Sequence, residues 1–86
     1  MTGRRVEYSR QAAKTLMRID AATSARIRLK IRQLAGDPAA QANNILPMKG
    51  CEGLFRLRVG DWRVVYTETL VIVSVIRIGP RGDVYD

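Results

Sequence analysis

Two periods divide the chain. Between residues 9 and 35 the apolar side chains recur at helical spacing, and from residue 54 onward they alternate. Ala12, Leu16 and Ile19 make one stripe, and Ile27, Ile31 and Leu34 a second. Steps of three and four residues place each set on one face of a helix. Ser9 is a good N-cap for a first helix ending near Ile19, because its side-chain oxygen can accept from an unpaired N–H of the first turn. Asp20 to Thr23 interrupts, and a second helix runs to about Ala35, with Gly36 as its stop and Asp37-Pro38 as the break. So short a joint predicts an antiparallel helix pair. Leu29 lies off the stripe, turned from it by about 160° at ~100° per residue. Arg10, Lys14 and Arg18 recur every four residues on a solvent-facing side of the first helix.

Before the helices, Val6 and Tyr8 alternate with Arg5 and Glu7, which predicts a strand over Arg4–Tyr8. Pro38 to Pro47 reads as a loop of small and polar residues. Leu54 to Val59 then alternates, with Phe55, Leu57 and Val59 on one side and Arg56 and Arg58 on the other. Gly60-Asp61 is a tight-turn signal. Trp62 to Glu68 is the next strand, and Leu70 to Ile78 the last. The last is apolar on both faces, which predicts a central place in the sheet. Repeats, low-complexity stretches and linkers are not evident, so residues 1–86 are expected to be one domain. The order β-α-α-β-β-β predicts an α+β fold. An antiparallel helix hairpin covers one face of a small, mainly antiparallel sheet, and the other face is left for function.

Composition narrows the chemistry. Fifteen Lys and Arg against eight Asp and Glu give a formal charge of +7, and only Lys14, Lys30 and Lys49 are lysines. A surplus of planar, permanently charged guanidinium groups suits phosphate, and basic chains associate with polyanions in a salt-dependent way. With no His in the chain, Ser-His-Asp and Cys-His devices and a histidine-pair ribonuclease are excluded. The lone Cys51 argues against a zinc site and cannot close an internal disulfide. The carboxylates are scattered, which argues against a two-metal nuclease, and the chain has no glycine-rich phosphate loop. The expectation is therefore a chain without cofactor or metal. The lack of a secretory pattern, with the lone thiol, predicts a cytoplasmic protein, and Leu70–Ile76 is too short an apolar run to involve a membrane.

What remains is arginine. Arg56 and Arg58 share a side of their strand because they are two apart, and Arg63 can lie near them across the turn. Arg77 and Arg81 follow at the end of the last strand. Any one of these could be a solvated side chain laid over apolar surface. Like charges facing across strands repel, so the group together asks for an anion.

The run Leu54-Phe55-Arg56-Leu57-Arg58-Val59-Gly60-Asp61-Trp62-Arg63-Val64-Val65-Tyr66 resembles the central signature of the RelE/ParE toxin superfamily. Ile78-Gly79-Pro80-Arg81-Gly82-Asp83-Val84-Tyr85 resembles its C-terminal signature. The element order agrees, so the resemblance covers nearly the whole chain. It implies a toxin of a type II toxin–antitoxin system that either cleaves mRNA in the ribosomal A site or inhibits DNA gyrase. Arg56, Arg58, Arg63, Arg81 and Tyr85 match the positions of the RNA-cleaving RelE branch, and Lys49 and Arg77 are expected to add RNA contacts. Arg56 and Arg58 stand where some relatives have lysines, and Pro80 where many have a His, which shifts the acid–base burden to Tyr85. The implied partners are the ribosome with its mRNA and an acidic antitoxin, through which the complex would bind operator DNA. The antitoxin is expected over the helix pair and Leu29. The other readings are a ParE-like gyrase inhibitor without nuclease activity and a plain nucleic-acid-binding module.

RNA supplies its own nucleophile. Cleavage needs loss of the 2′-OH proton, stabilisation of the charged phosphorane and protonation of the leaving 5′ oxygen. Arginine can clamp charge and cannot serve as a base. A phenol among arginines is drawn toward phenolate, so Tyr85 is the expected base, with Arg81 at the phosphate or leaving group.

Overall fold

The computed structural model describes residues 4–37, 43–48 and 53–80. In chain order the elements are β1 (Arg5–Tyr8), α1 (Arg10–Arg18), α2 (Ala21–Gly36), β2 (Ile45–Pro47), β3 (Phe55–Val59), β4 (Trp62–Glu68) and β5 (Ile72–Pro80). The fold is α+β, two helices packed on a mixed five-stranded sheet of order β1-β5-β4-β3-β2.

Each helix begins at a side-chain cap. Ser9 Oγ accepts from the Ala12 N–H at 3.1 Å, and its hydroxyl donates to the Ile76 carbonyl, so one side chain starts α1 and fastens it to β5. Asp20 Oδ2 accepts from the Thr23 N–H at 2.9 Å at the start of α2. Hydrogen bonds from Thr23 hold this exposed carboxyl below its usual range. Gly36 does not act as the expected stop. It is the last helical residue, and extended Asp37 (φ −152°) caps α2 through an N–H bond to the Gln33 carbonyl at 2.8 Å. The carbonyls of Leu34 and Ala35 are taken from outside the helix, by Arg4. Its Nη2 and Nε donate to them at 2.7 and 3.2 Å, and its Nη1 pairs with Glu68 at 2.7 Å. A cation at a helix C-terminus also opposes the helix dipole, which the last turn of α2 does not do with a basic residue of its own.

Three sheet expectations need correction. A short strand, β2, lies inside the stretch read as loop, pairing Ile45 with Leu57, Leu46 with Arg56 and Pro47 with Phe55. Three residues ending in proline carry no period. The strand exists because β3 offers it an edge, where proline is tolerated. β5 begins at Ile72, two residues later than expected. Leu70 and Val71 instead form a turn, 96% and 66% exposed, where Thr69 Oγ1 accepts from the N–H groups of Val71 and Ile72. β5 is an interior strand, but β4 is the middle one, and β1 pairs with β5 in parallel, which the βαα connection makes possible.

The core lies between sheet and helices. Ala12, Leu16, Ile27, Ile31 and Leu34 meet Leu57, Val59, Val64, Tyr66, Val73, Val75 and Ile78. Phe55 stacks on Tyr66 with ring centroids 5.7 Å apart. Leu29 is 48% exposed, off the buried stripe as its spacing requires.

One irregularity sets what the far face of the sheet shows. Val65 pairs with Arg77 and Tyr66 with Val75, so β5 holds one residue more than β4 at this point, a β-bulge at Ile76. Strict alternation from Val73 and Val75 would aim Arg77 into the core. The extra residue resets the phase, and Ile78 is buried (1% exposed) while Arg77 faces solvent.

Candidate nucleic-acid interface

Directly paired residues of neighbouring strands point to the same side of a sheet. Since Leu57 and Val64 point to the helices, their neighbours point away. On this open face one row runs Leu46, Arg56, Val65, Arg77 across β2, β3, β4 and β5. The next row places Arg58 opposite Arg63, with Gly79 beyond. Four of the sequence-predicted residues, Arg56, Arg58, Arg63 and Arg77, thus share one face, and no position in these two rows is acidic. Arg81, Tyr85 and Lys49 lie outside the described residues.

The four arginines are not equivalent. Arg58 and Arg77 are exposed and Arg56 half-buried. Arg63 is only 8% exposed, and its Nη1 donates to the Gly60 and Trp62 carbonyls, both at 3.0 Å. It therefore ties down the β3–β4 turn, and only the rest of its fork is left for a ligand. The turn is a two-residue loop between paired Val59 and Trp62, with Gly60 at φ +60°, a conformation that glycine alone adopts without cost. Arg58 faces Arg63 and donates through Nη2 to Asn44 Oδ1 at 3.4 Å. Asn43, Asn44 and Leu46 complete a hollow of about 190 Å³ with Arg56, Arg58 and Arg63. Asn44 and Leu46 escaped the sequence reading because their segment has no strand period.

Two of the three tyrosines lie among the described residues, and both are pushed away from phenolate. Tyr66 sits in the core, where burial, reinforced by Glu68 and opposed by Arg4, lifts its pKa to about 12. Burial also raises Tyr8, against the opposing pull of Arg28 and Arg32. Neither can be a base near neutral pH.

A different surface lies between the helices. Leu16, Met17, Ile19, Ala21 and Ala25, with Ser24, line a groove of about 420 Å³ together with Arg28 and Arg32. Met17 is 80% exposed there. Among the described residues, no helix is long and apolar enough to cross a membrane.

Two helices on a mixed five-stranded sheet are the fold of RelE-like toxins. The archaeal RelE–RelB complex from Pyrococcus horikoshii contains a chain that superposes with a TM-score of 0.78 at 26% identity, covering 98% of this chain and 100% of that one. A chain of the Mycobacterium tuberculosis RelBE2 toxin–antitoxin complex gives 0.72 at 21% identity, covering 96% and 97%. For the Escherichia coli DinJ–YafQ complex the values are 0.66 and 20%, covering 98% and 99%. No match was found among curated proteins. The profile of the ParE toxins of type II toxin–antitoxin systems (parDE) matches residues 6–85, and the chain belongs to this family, within the RelE/ParE toxin superfamily.

Proposed function

We propose that this type II toxin is a ribosome-dependent endoribonuclease that cleaves mRNA by attack of a 2′-OH on the adjacent phosphate. The observation that carries this reading is the gathering of Arg56, Arg58, Arg63 and Arg77 on the one sheet face not covered by helices. Four guanidinium groups on one face fit a phosphodiester, and their charge would stabilise a phosphorane where a metal ion otherwise could. Arg63, held at the turn, would be the most rigid of the four. Arg56 and Arg77, in one row, would orient the strand together with Lys49. Among the described residues, the tyrosines are held away from phenolate and the open-face rows carry no carboxylate. The base would be Tyr85, drawn toward phenolate by the arginines, and Arg81 would stabilise the charge on the leaving oxygen.

The family profile carries the ParE name, and that favours a second reading, inhibition of DNA gyrase without chemistry. The two are separated by running an mRNA cleavage assay during translation beside a gyrase supercoiling assay on the same purified protein. Cleavage with unchanged supercoiling supports the nuclease, and loss of supercoiling without cleavage replaces it with the gyrase inhibitor.

For control, the reading includes an acidic antitoxin and a single toxin domain acting in the cytoplasm. The Pyrococcus and Mycobacterium neighbours are toxin–antitoxin complexes. Here the groove between α1 and α2, lined mainly by apolar side chains and by Arg28 and Arg32, suits an amphipathic acidic helix. The antitoxin would also carry the operator-DNA contact of the complex.

A further inference from the structure

Positive charge is not confined to the open face. It turns the end of the sheet. A cleft of about 470 Å³ beside the β3–β4 turn is lined by Arg58 and Arg63 from the sheet and by Arg26 and Lys30 from α2. Asn44 and the Val59–Asp61 turn close it, and Asp61 is its one acidic lining residue among the described residues. Its volume falls within the ~300–1,000 Å³ of ordinary ligand sites.

Three features make it a built site rather than a chance group of charges. Arg26 and Lys30 are one helical turn apart on α2, next to the buried stripe, whereas Arg28 and Arg32 flank the separate groove against α1. Arg26 is seated on the turn. Its guanidinium lies over Gly60, where an added Cβ would be 3.4 Å from Nη2 and 3.6 Å from Cζ, at van der Waals contact. Arg63, at the cleft's inner wall, is held by two backbone carbonyls. The ion pairs seen among the described residues, Arg4–Glu68 and Arg5–Glu7, involve none of the four cations. Among the described residues, three guanidinium groups and an ammonium line one cleft with a single carboxylate, an arrangement that an entering anion would stabilise.

We propose that Arg26 and Lys30, with Arg58 and Arg63, form a second phosphodiester site for RNA, continuous with the arginine face and reached by the strand as it leaves that face around the β3–β4 turn. This rests on the RNA-binding part of the function proposed above and adds α2 to the machinery. The phosphodiester could belong to the substrate strand or to ribosomal RNA.

The test is binding, so it does not depend on cleavage. The probes are a fluorescent single-stranded oligoribonucleotide, 2′-O-methylated to block cleavage, and empty ribosomes, each titrated with wild type, R26Q/K30Q and R28Q/R32Q over a range of salt. The two double variants lose the same charge from the same helix. For R26Q/K30Q, weaker binding and a slope of log affinity against log salt reduced by about 0.7–1.4 are expected, one to two single-strand phosphate contacts. R28Q/R32Q should stay near wild type. Loss on the oligonucleotide assigns the cleft to the substrate strand, and loss on ribosomes alone assigns it to ribosomal RNA. Equal loss in both variants would reduce the effect to net charge and overturn the site. So would unchanged RNA and ribosome binding by R26Q/K30Q, with or without weaker antitoxin binding. If the protein cleaves no RNA yet R26Q/K30Q alone loses RNA binding, the nuclease reading falls and the cleft stands.

Discussion

Arg58 and Arg63 face each other across one strand pair, yet their substitution should have different consequences. Arg58 is exposed, with one long hydrogen bond to Asn44. Arg58→Ala should change stability by no more than about 0.5 kcal/mol and act mainly on RNA affinity. Arg63 donates to two carbonyls of its own turn while almost wholly buried. Arg63→Ala should cost about 1.5–3 kcal/mol of folding stability, the range for hydrogen bonds to a charged group, as well as weakening RNA binding. Urea denaturation of both variants measures this, and equal stability would mean that the turn does not need the guanidinium. The tyrosines separate in the same way. Tyr85→Phe, which removes only a hydroxyl, should lower cleavage by ~10²–10⁴-fold while ribosome binding persists. Wild-type cleavage by this variant would leave the arginines to act without it. Tyr66 should titrate near pH 12 in an ultraviolet difference titration. Its pKa is higher folded than unfolded, so the folded state holds the proton longer. Stability from this group is complete below about pH 10 and is lost as pH rises toward 12. Tyr66→Phe should remove that alkaline loss from the stability profile.

At the scale of elements, α2 depends on a residue from another part of the chain. Arg4 satisfies the carbonyls of Leu34 and Ala35 and pairs with Glu68 of β4, joining helix, β1 and β4. Arg4→Ala should destabilise the fold by about 2 kcal/mol, as expected for charge-assisted bonds at a partly buried site, and leave RNA affinity near wild type. Denaturant midpoints and the oligonucleotide titration check the two halves separately. The α1–α2 groove makes the opposite claim, an element pair whose outer surface serves a partner. Amides of α1 and α2 are expected to gain hydrogen-exchange protection in the antitoxin complex. Met17→Asp should weaken that complex at least tenfold without unfolding the toxin, since Met17 lines the groove and is 80% exposed. Unchanged exchange in both helices would move the antitoxin elsewhere.

Across the whole molecule, the sequence alone determined every element but β2, and the inventory of charge. The stripes of α1 and α2, the alternation in β3 and β4, the cap at Ser9 and the Gly60-Asp61 turn are local devices, written in spacing and backbone freedom over a few residues. The two signatures brought out the superfamily, and the period of two placed Arg56 and Arg58 on one side. Tertiary structure decided whatever depended on a distant partner. β2 forms only because β3 has a free edge. Arg4 reads as a strand residue until α2 ends beside it. Helical spacing does not single out Arg26 and Lys30, and only the packing of α2 beside the β3–β4 turn brings them to Arg58 and Arg63. Arg77 shows the difference most plainly. Alternation along β5 would bury it beside Val73 and Val75, and pairing with β4 forces an extra residue at Ile76 that turns it outward and sends Ile78 into the core. A bulge is a compromise between two strands over register and core packing, so the sequence of one strand does not contain it.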